Sequence, residues 1–263
     1  MATHTAPVLD RIVESRRIYV NELKAGTTAE GLAKAVGAAP QPCDFAKAIS
    51  GPGVALIAEC KQRSPSGGVL QAPYDPVALA RRYAANGAAA ISVLTEPLFF
   101  GGAPDDLQRV RAVIDAPLLC KDFIVDPVQL MTARAVGADA VLLIVAILAD
   151  AELASFHRLA TDMGMAIIVE VHTQEELERA LGIGARIIGI NNRDLTRMTT
   201  DKATTARLRP LIPAGRLVIS ESGIESRADI DDMQRLGVDA ILVGEALLRA
   251  SDVDAKVREL SGR

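Results

Sequence analysis

The chain has 263 residues, 49% of them apolar and 24% charged, with a net charge of −4, which is enough material for one large globular α/β domain. With no long Lys/Arg cluster, no Trp and only three Tyr, it lacks the basic footprint and stacking platforms of a nucleic-acid binder. The longest apolar stretch, residues 140–149, is about half of a bilayer crossing. The opening residues mix acids and bases without an apolar leader segment, so no membrane partner is expected and the cytoplasm is the expected compartment.

From the N-terminus, residues 8–47 precede the first strand and read as helical, notably LDRIVESRRIYVNELKAG. Such a segment suits a cover for the bottom of a barrel, although some part could reach the opposite end. Apolar runs then recur at residues 54–60, 89–95, 117–122, 139–145, 166–171, 187–192, 217–222 and 239–245. They are continuous rather than alternating, as parallel strands covered on both faces should be. Between them lie helices with clear punctuation. Asp75-Pro76 opens one that closes at Asn86-Gly87, and Asp126-Pro127 opens another that closes at Gly137, with an Asp cap, Pro in the first turn and Gly after the end. Thr173 with Glu176 three residues later predicts a capping box. Similar phrases at helix-to-strand junctions (NGAAAISV, VGADAVLL, LGVDAILV) suggest one repeated unit.

Eight strand and helix units in about 200 residues fit a closed (β/α)₈ TIM barrel better than an open sheet. No GxGxxG follows the first strand, which counts against a dinucleotide fold. The expected organisation is therefore an N-terminal helical extension over residues 1–47 and a barrel catalytic region over 48–263, a single domain overall. Cys43, Cys60 and Cys120 are odd in number and form no CxxC pair, which argues for reduced, packed thiols rather than disulfides or zinc ligands.

Barrels of this kind carry their chemistry at the C-terminal strand ends. Those ends hold Glu59, Lys61 and Ser64 after the first strand, Lys121 after the third, and Glu170 after the fifth. Asn191 and Arg193 follow the sixth strand, Glu221 and Ser222 the seventh, and Gly244 and Glu245 the eighth. A single such charge would pass as a solvated strand end or an ion pair. Lysines and glutamates gathered around one rim shift each other's proton affinity and suit acid and base work near neutrality. The glycine-bearing turns ESGI (221–224) and VGEALL (243–248) lie where barrels often bind phosphate.

The motifs AECKQRSPSGG, SVLTEPLFFGG, LLCKDFIVDPVQL, IIVEVHTQEEL, IGINNRDL, VISESGI and ILVGEALLR together resemble the indole-3-glycerol phosphate synthase family, in order from the first strand through the eighth. The resemblance implies closure of the indole pyrrole ring in tryptophan biosynthesis: 1-(2-carboxyphenylamino)-1-deoxyribulose 5-phosphate becomes indole-3-glycerol phosphate with loss of CO₂ and water. It implies no metal or organic cofactor, and its partner is a small phosphorylated anion; a monomer is compatible with it. By the same resemblance Lys121 is the acid at the ribulose C2 carbonyl, Glu170 stabilises the developing positive charge, and Glu59 serves as base or proton shuttle in the dehydration. Lys61 meets substrate anions, while Asn191 and Arg193 orient Glu170 and the anthranilate moiety. Ser64, Ser222, Gly223, Gly244 and the Glu245 backbone map to the phosphate side, Glu221 is a further substrate-binding position, and Phe100 and Phe123 line the ring pocket.

Gln62, Arg63, Ala103, Pro104 and Ala246 depart from the family's usual residues without removing any of these side chains. Arg63 is a candidate for altered loop closure or an extra phosphate contact. His4 and His157 read as non-catalytic; His172, directly after the fifth strand, is placed to support Glu170 but is left outside the site. Two alternatives stay open. A related phosphosugar isomerase would use a Cys and Asp pair, for which Cys60 is expected to point the wrong way, and a non-catalytic paralogue would bind phosphate without turnover.

Overall fold

The structure is a computed structural model that describes residues 7–194 and 196–262; His4 lies outside them. Among the described residues, eight parallel strands close a barrel: β1 (Ala55–Cys60), β2 (Ala90–Leu94), β3 (Leu118–Lys121), β4 (Ala140–Ile144), β5 (Ala166–Val171), β6 (Ile187–Asn191), β7 (Leu217–Glu221) and β8 (Ala240–Val243). The ring shuts where β1 pairs β8, in the register Ala55 opposite Ala240, and β2, in the register Ile57 opposite Ala90. Each strand lies within two residues of its expected run. No helix among these residues is long and apolar enough to cross a membrane.

The continuous apolar runs divide between two cores because successive side chains on a strand face opposite ways. Leu56, Ala58 and Cys60 of β1, with Val141 and Leu143 of β4, pack outward against the helices. Ile57, Leu119, Leu142, Ile168, Ile219 and Leu242 fill the barrel interior. Continuing the inward parity by two residues from Ile57, Leu119, Ile168 and Ile219 gives Glu59, Lys121, Glu170 and Glu221. Strand parity therefore selects which charged residues share the interior.

The helix signals act as their chemistry requires. Asp75 accepts the N–H groups of Val77 and Ala78 ahead of α4 (Pro76–Ala85). Asp126 caps α6 (Pro127–Ala135), with Gln129 reciprocating in a capping box. At α8 (Gln174–Gly182) only half of the expected box forms. Thr173 accepts the Glu176 N–H, but the Glu176 carboxylate reaches one residue further back, to the N–H of His172 at 2.7 Å.

The N-terminal segment divides between both ends of the barrel. α3 (Phe45–Ala48) closes the bottom with the fully buried Phe45 and Ile49, and the Cys43 N–H donates to Asp139 just before β4. α2 (Ala29–Ala38) packs on the outer helix α6, whereas α1 (Val8–Gly26) crosses the C-terminal end of the strands, where Leu9 and Ile12 join the interior core. There Arg16, 1% exposed, pairs with Asp122 at 2.6 Å, and Lys24 pairs with Asp126 at 2.5 Å. A bottom cover thus accounts only for the short α3. The longest N-terminal helix is drawn to the opposite end by the carboxylates that follow β3.

Candidate active site

At the C-terminal mouth of the barrel lies a cavity of about 420 Å³. Its wall includes Glu59, Lys61, Phe100, Lys121, Phe123, Glu170, Asn191, Arg193, Glu221, Ser222, Gly223, Gly244 and Glu245. All eight strand ends contribute, β2 and β4 through Leu94 and Ile144, since strand parity and the closed ring aim distant residues at one axis.

Two ion-pair groups face this space. Lys121 Nζ stands 3.2 Å from Glu221 and 3.6 Å from Glu170, both carboxylates being almost wholly buried. Lys61 Nζ lies 3.2 Å from Glu59. Burial alone would depress the Lys121 ammonium, yet the charges of Glu221, Glu170 and Glu59 outweigh it and hold its pKa above the usual lysine range. Burial pushes the Glu221 carboxyl up, with Glu170 adding to the rise and Lys121 opposing it, to about 7. One ammonium shared by two dry carboxylates leaves a proton on one of them near neutrality, which suits a site that must both donate and accept protons.

Glycines make room for this packing. A Cβ at Gly189 would sit 2.5 Å from Glu221 Oε1, and one at Gly244 would sit 3.0 Å from Glu59 Oε2. On the apolar side Phe100 and Phe123 lie 5.8 Å apart with a 30° tilt, forming a wall fit for a flat aromatic group.

Several roles read from resemblance meet a different geometry. Asn191 accepts the backbone N–H of Arg193 at 3.0 Å, and both Glu170 oxygens lack a hydrogen bond, so neither Asn191 nor Arg193 orients Glu170 here. The Arg193 guanidinium donates to Ser66 at 2.9 Å and approaches Glu245 at 3.5 Å, which brings it to the β1 and β8 side of the mouth. Ser64 is buried and its Oγ accepts the Gly67 N–H, shaping the loop, while Pro65 lines the cavity. The Glu245 carboxylate is held by Arg249 at 2.9 Å. Arg63 turns from the cavity to donate to the Pro97 carbonyl, tying the loops after β1 and β2 together. Pro104 starts α5 (Pro104–Arg111), and Asp106 accepts the Ala103 N–H.

Sequence reasoning passed over Glu96. Buried and accepting the N–H groups of Leu98, Phe99 and Phe100, it builds the loop that presents Phe100. The signal was an acid in the otherwise apolar phrase LTEPLFF. Asp122, next to Lys121 and paired with Arg16, was missed because its partner is 106 positions away. Cys60 packs in the outer core with its Sγ toward the Pro76 carbonyl. His157 sits on the outer helix α7 (Asp150–Asp162), away from the cavity.

A family model described as indole-3-glycerol phosphate synthase matches residues 9–260. The chain belongs to the indole-3-glycerol phosphate synthase family. A relative of that name from Roseiflexus castenholzii is 50% identical over 97% of this chain and 98% of its own length. One from Dehalococcoides mccartyi is 52% identical over 83% and 86%, and indole-3-glycerol phosphate synthase 2 of Streptomyces coelicolor is 44% identical over 97% and 99%. Among solved structures, KGPDC from Streptococcus mutans superposes with a TM-score of 0.58 at 16% identity, covering 78% of this chain and 94% of that one. A chain of the tryptophan synthase a2b2 complex from Pyrococcus furiosus gives 0.59 at 16%, covering 80% and 98%. These two likenesses show a shared barrel fold. The synthase family assignment rests on the sequence matches, which run through all eight strand ends.

Proposed function

We propose that this protein closes the pyrrole ring of indole, converting 1-(2-carboxyphenylamino)-1-deoxyribulose 5-phosphate to indole-3-glycerol phosphate with release of CO₂ and water. The observation that carries the reading is the Lys121 ammonium standing between Glu170 and Glu221, opposite the Lys61–Glu59 pair and beside a phenylalanine wall.

In this scheme the aromatic ring stacks near Phe100 and Phe123, and Lys121 donates its proton to the C2 carbonyl oxygen as the ring carbon attacks C2. Glu170 and Glu221, both in reach of Lys121, stabilise the iminium that results. Loss of CO₂ returns the electron pair to the ring. Glu59 then takes a proton from C1 while the Lys61 ammonium beside it protonates the departing C2 hydroxyl, so that water leaves and the pyrrole double bond forms. The phosphate lies toward Ser222, Gly223, Gly244 and the Glu245 backbone, with Lys61 and Arg193 as the nearby cations. A cytoplasmic monomer without nucleic-acid or membrane partners belongs to the same proposal.

Incubating the purified protein with the carboxyphenylamino ribulose phosphate and following indole absorbance tests it. Product is expected from the wild type, and Lys121→Ala is expected to lose almost all turnover while keeping its far-UV circular dichroism. Binding of the substrate with no product would favour the non-catalytic alternative. The isomerase alternative is disfavoured by Cys60, which faces the outer core rather than the cavity.

A further inference from the structure

Glu170 lines the cavity of the proposed reaction, and His172, two residues further on, lines a second cavity beside it. Glu170 Oε2 faces Lys121 at 3.6 Å, and Glu170 Oε1 faces His172 Nε2 at 3.5 Å. Glu170 Oε1 and His172 Nε2 are both buried and without a hydrogen bond, so two unsatisfied polar atoms point at each other. The imidazole is fixed from behind: Glu176 Oε2 takes the His172 backbone N–H at 2.7 Å and lies 3.1 Å from Nδ1. Because a carboxylate accepts, Nδ1 carries a proton in this contact. Nε2 then either bears a second proton and donates to Glu170, or turns a lone pair toward a carboxylate.

We propose that His172, held by Glu176, is a positioning residue that donates from Nε2 to Glu170 as an imidazolium and thereby holds the Glu170 carboxylate aimed at the substrate. The inference rests on the reaction proposed above, in which Glu170 faces a developing cation. It assigns work to a side chain two residues beyond the strand-end acid and to a helix outside the reaction cavity.

The electrostatics agree. Burial opposes a charge on His172, but its bond to Glu176 and the charges of Glu170, Glu176 and Glu221 prevail, so its pKa stands above the usual histidine range. Lys121, bound to the same Glu170, is the cation that competes. Across the second cavity, which is about 480 Å³ in volume, the charged groups facing His172 are already matched, Arg207 with Asp201 at 2.8 Å and Arg197 with Asp194 at 3.9 Å. The net influence on the imidazole is therefore that of the glutamates.

The sign of the pH effect follows. The imidazolium persists below its raised pKa and is lost as pH climbs through it, so kcat falls on the alkaline side while KM changes little. Three variants and one spectrum test this. His172→Ala is expected to lower kcat about tenfold, the scale of one lost charge-assisted hydrogen bond, with KM within about twofold. His172→Gln, a neutral donor of similar reach, is expected to restore part of kcat while abolishing the alkaline limb. Glu176→Gln retains the histidine but is expected to shift that limb to lower pH. A ¹H–¹³C titration of the histidine rings, assigned by comparison with His172→Gln, is expected to show His172 titrating above 6.5 and falling in Glu176→Gln. Unchanged kcat and pH profiles in the His172 variants, or a His172 resonance indifferent to Glu176→Gln, overturn the proposal. If the wild type makes no product, the proposed reaction falls instead, and the ring titration still decides whether Glu176 controls His172.

Discussion

Replacing Lys121 with methionine removes the ammonium 3.2 Å from Glu221 and 3.6 Å from Glu170 while keeping most of the apolar stem. In the wild type Glu221 titrates at about 7 against an ordinary 4.5, a gap worth roughly 3 kcal/mol of folding free energy. Its sign follows from proton counting: between those two values the folded chain holds a proton that the unfolded chain does not, so this group's stability is present at low pH and lost as pH rises toward 7. Lys121 itself stays charged throughout, its pKa being raised from 10.5. Without the lysine, Glu221 keeps its proton to higher pH, and stability goes on falling by about 1.4 kcal/mol for each further pH unit. At pH 5 both proteins hold this proton, and the Glu221 part of their difference vanishes. By pH 8 it reaches at most about 1.4 kcal/mol, and with Glu170 also stripped of its partner the total approaches the roughly 3–5 kcal/mol of a broken buried ion pair. Urea unfolding followed by far-UV circular dichroism at half-unit steps from pH 5 to 8 measures the difference. Depressed surface carboxylates such as Glu245 and Asp229 are common to both proteins and cancel. A stability difference that stays level from pH 5 to 8 would show that Lys121 is not compensating buried carboxylates.

Arg16→Met leaves Asp122 buried without its cation and is expected to cost about 3–5 kcal/mol in urea unfolding, while Arg16→Met with Asp122→Asn recovers much of the loss; equal losses in both would rule out charge pairing as the link between α1 and β3. Gly189→Ala drives a methyl into Glu221 Oε1 and Ile168 and is expected to destabilise by about 1–3 kcal/mol and to lower kcat, read by thermal melts and product assays; wild-type turnover would mean that Glu221 has free room. Cys60 and Cys120 are fully buried with thiols pushed up by that burial, Cys120 to about 12, whereas Cys43 is half-exposed. Iodoacetamide at pH 8 followed by mass spectrometry should therefore label Cys43 slowly in the native protein and all three in urea; rapid native labelling of Cys60 would contradict the outward packing of β1.

Strand positions, the helix starts at Asp75 and Asp126, and the identity of the rim residues were determined by the chain alone. Apolar runs, caps and strand parity act over a few neighbouring residues, and a repeated β/α unit multiplies the same local signal eight times. Tertiary structure decided the pairings: Lys121 with Glu221 rather than Glu170 alone, Arg193 with Ser66 instead of Glu170, and α1 over the catalytic mouth through Arg16 and Asp122. It also set His172 between two glutamates. Such contacts depend on the register with which the barrel closes and on which buried charge finds a partner across scores of residues, and no local pattern encodes either.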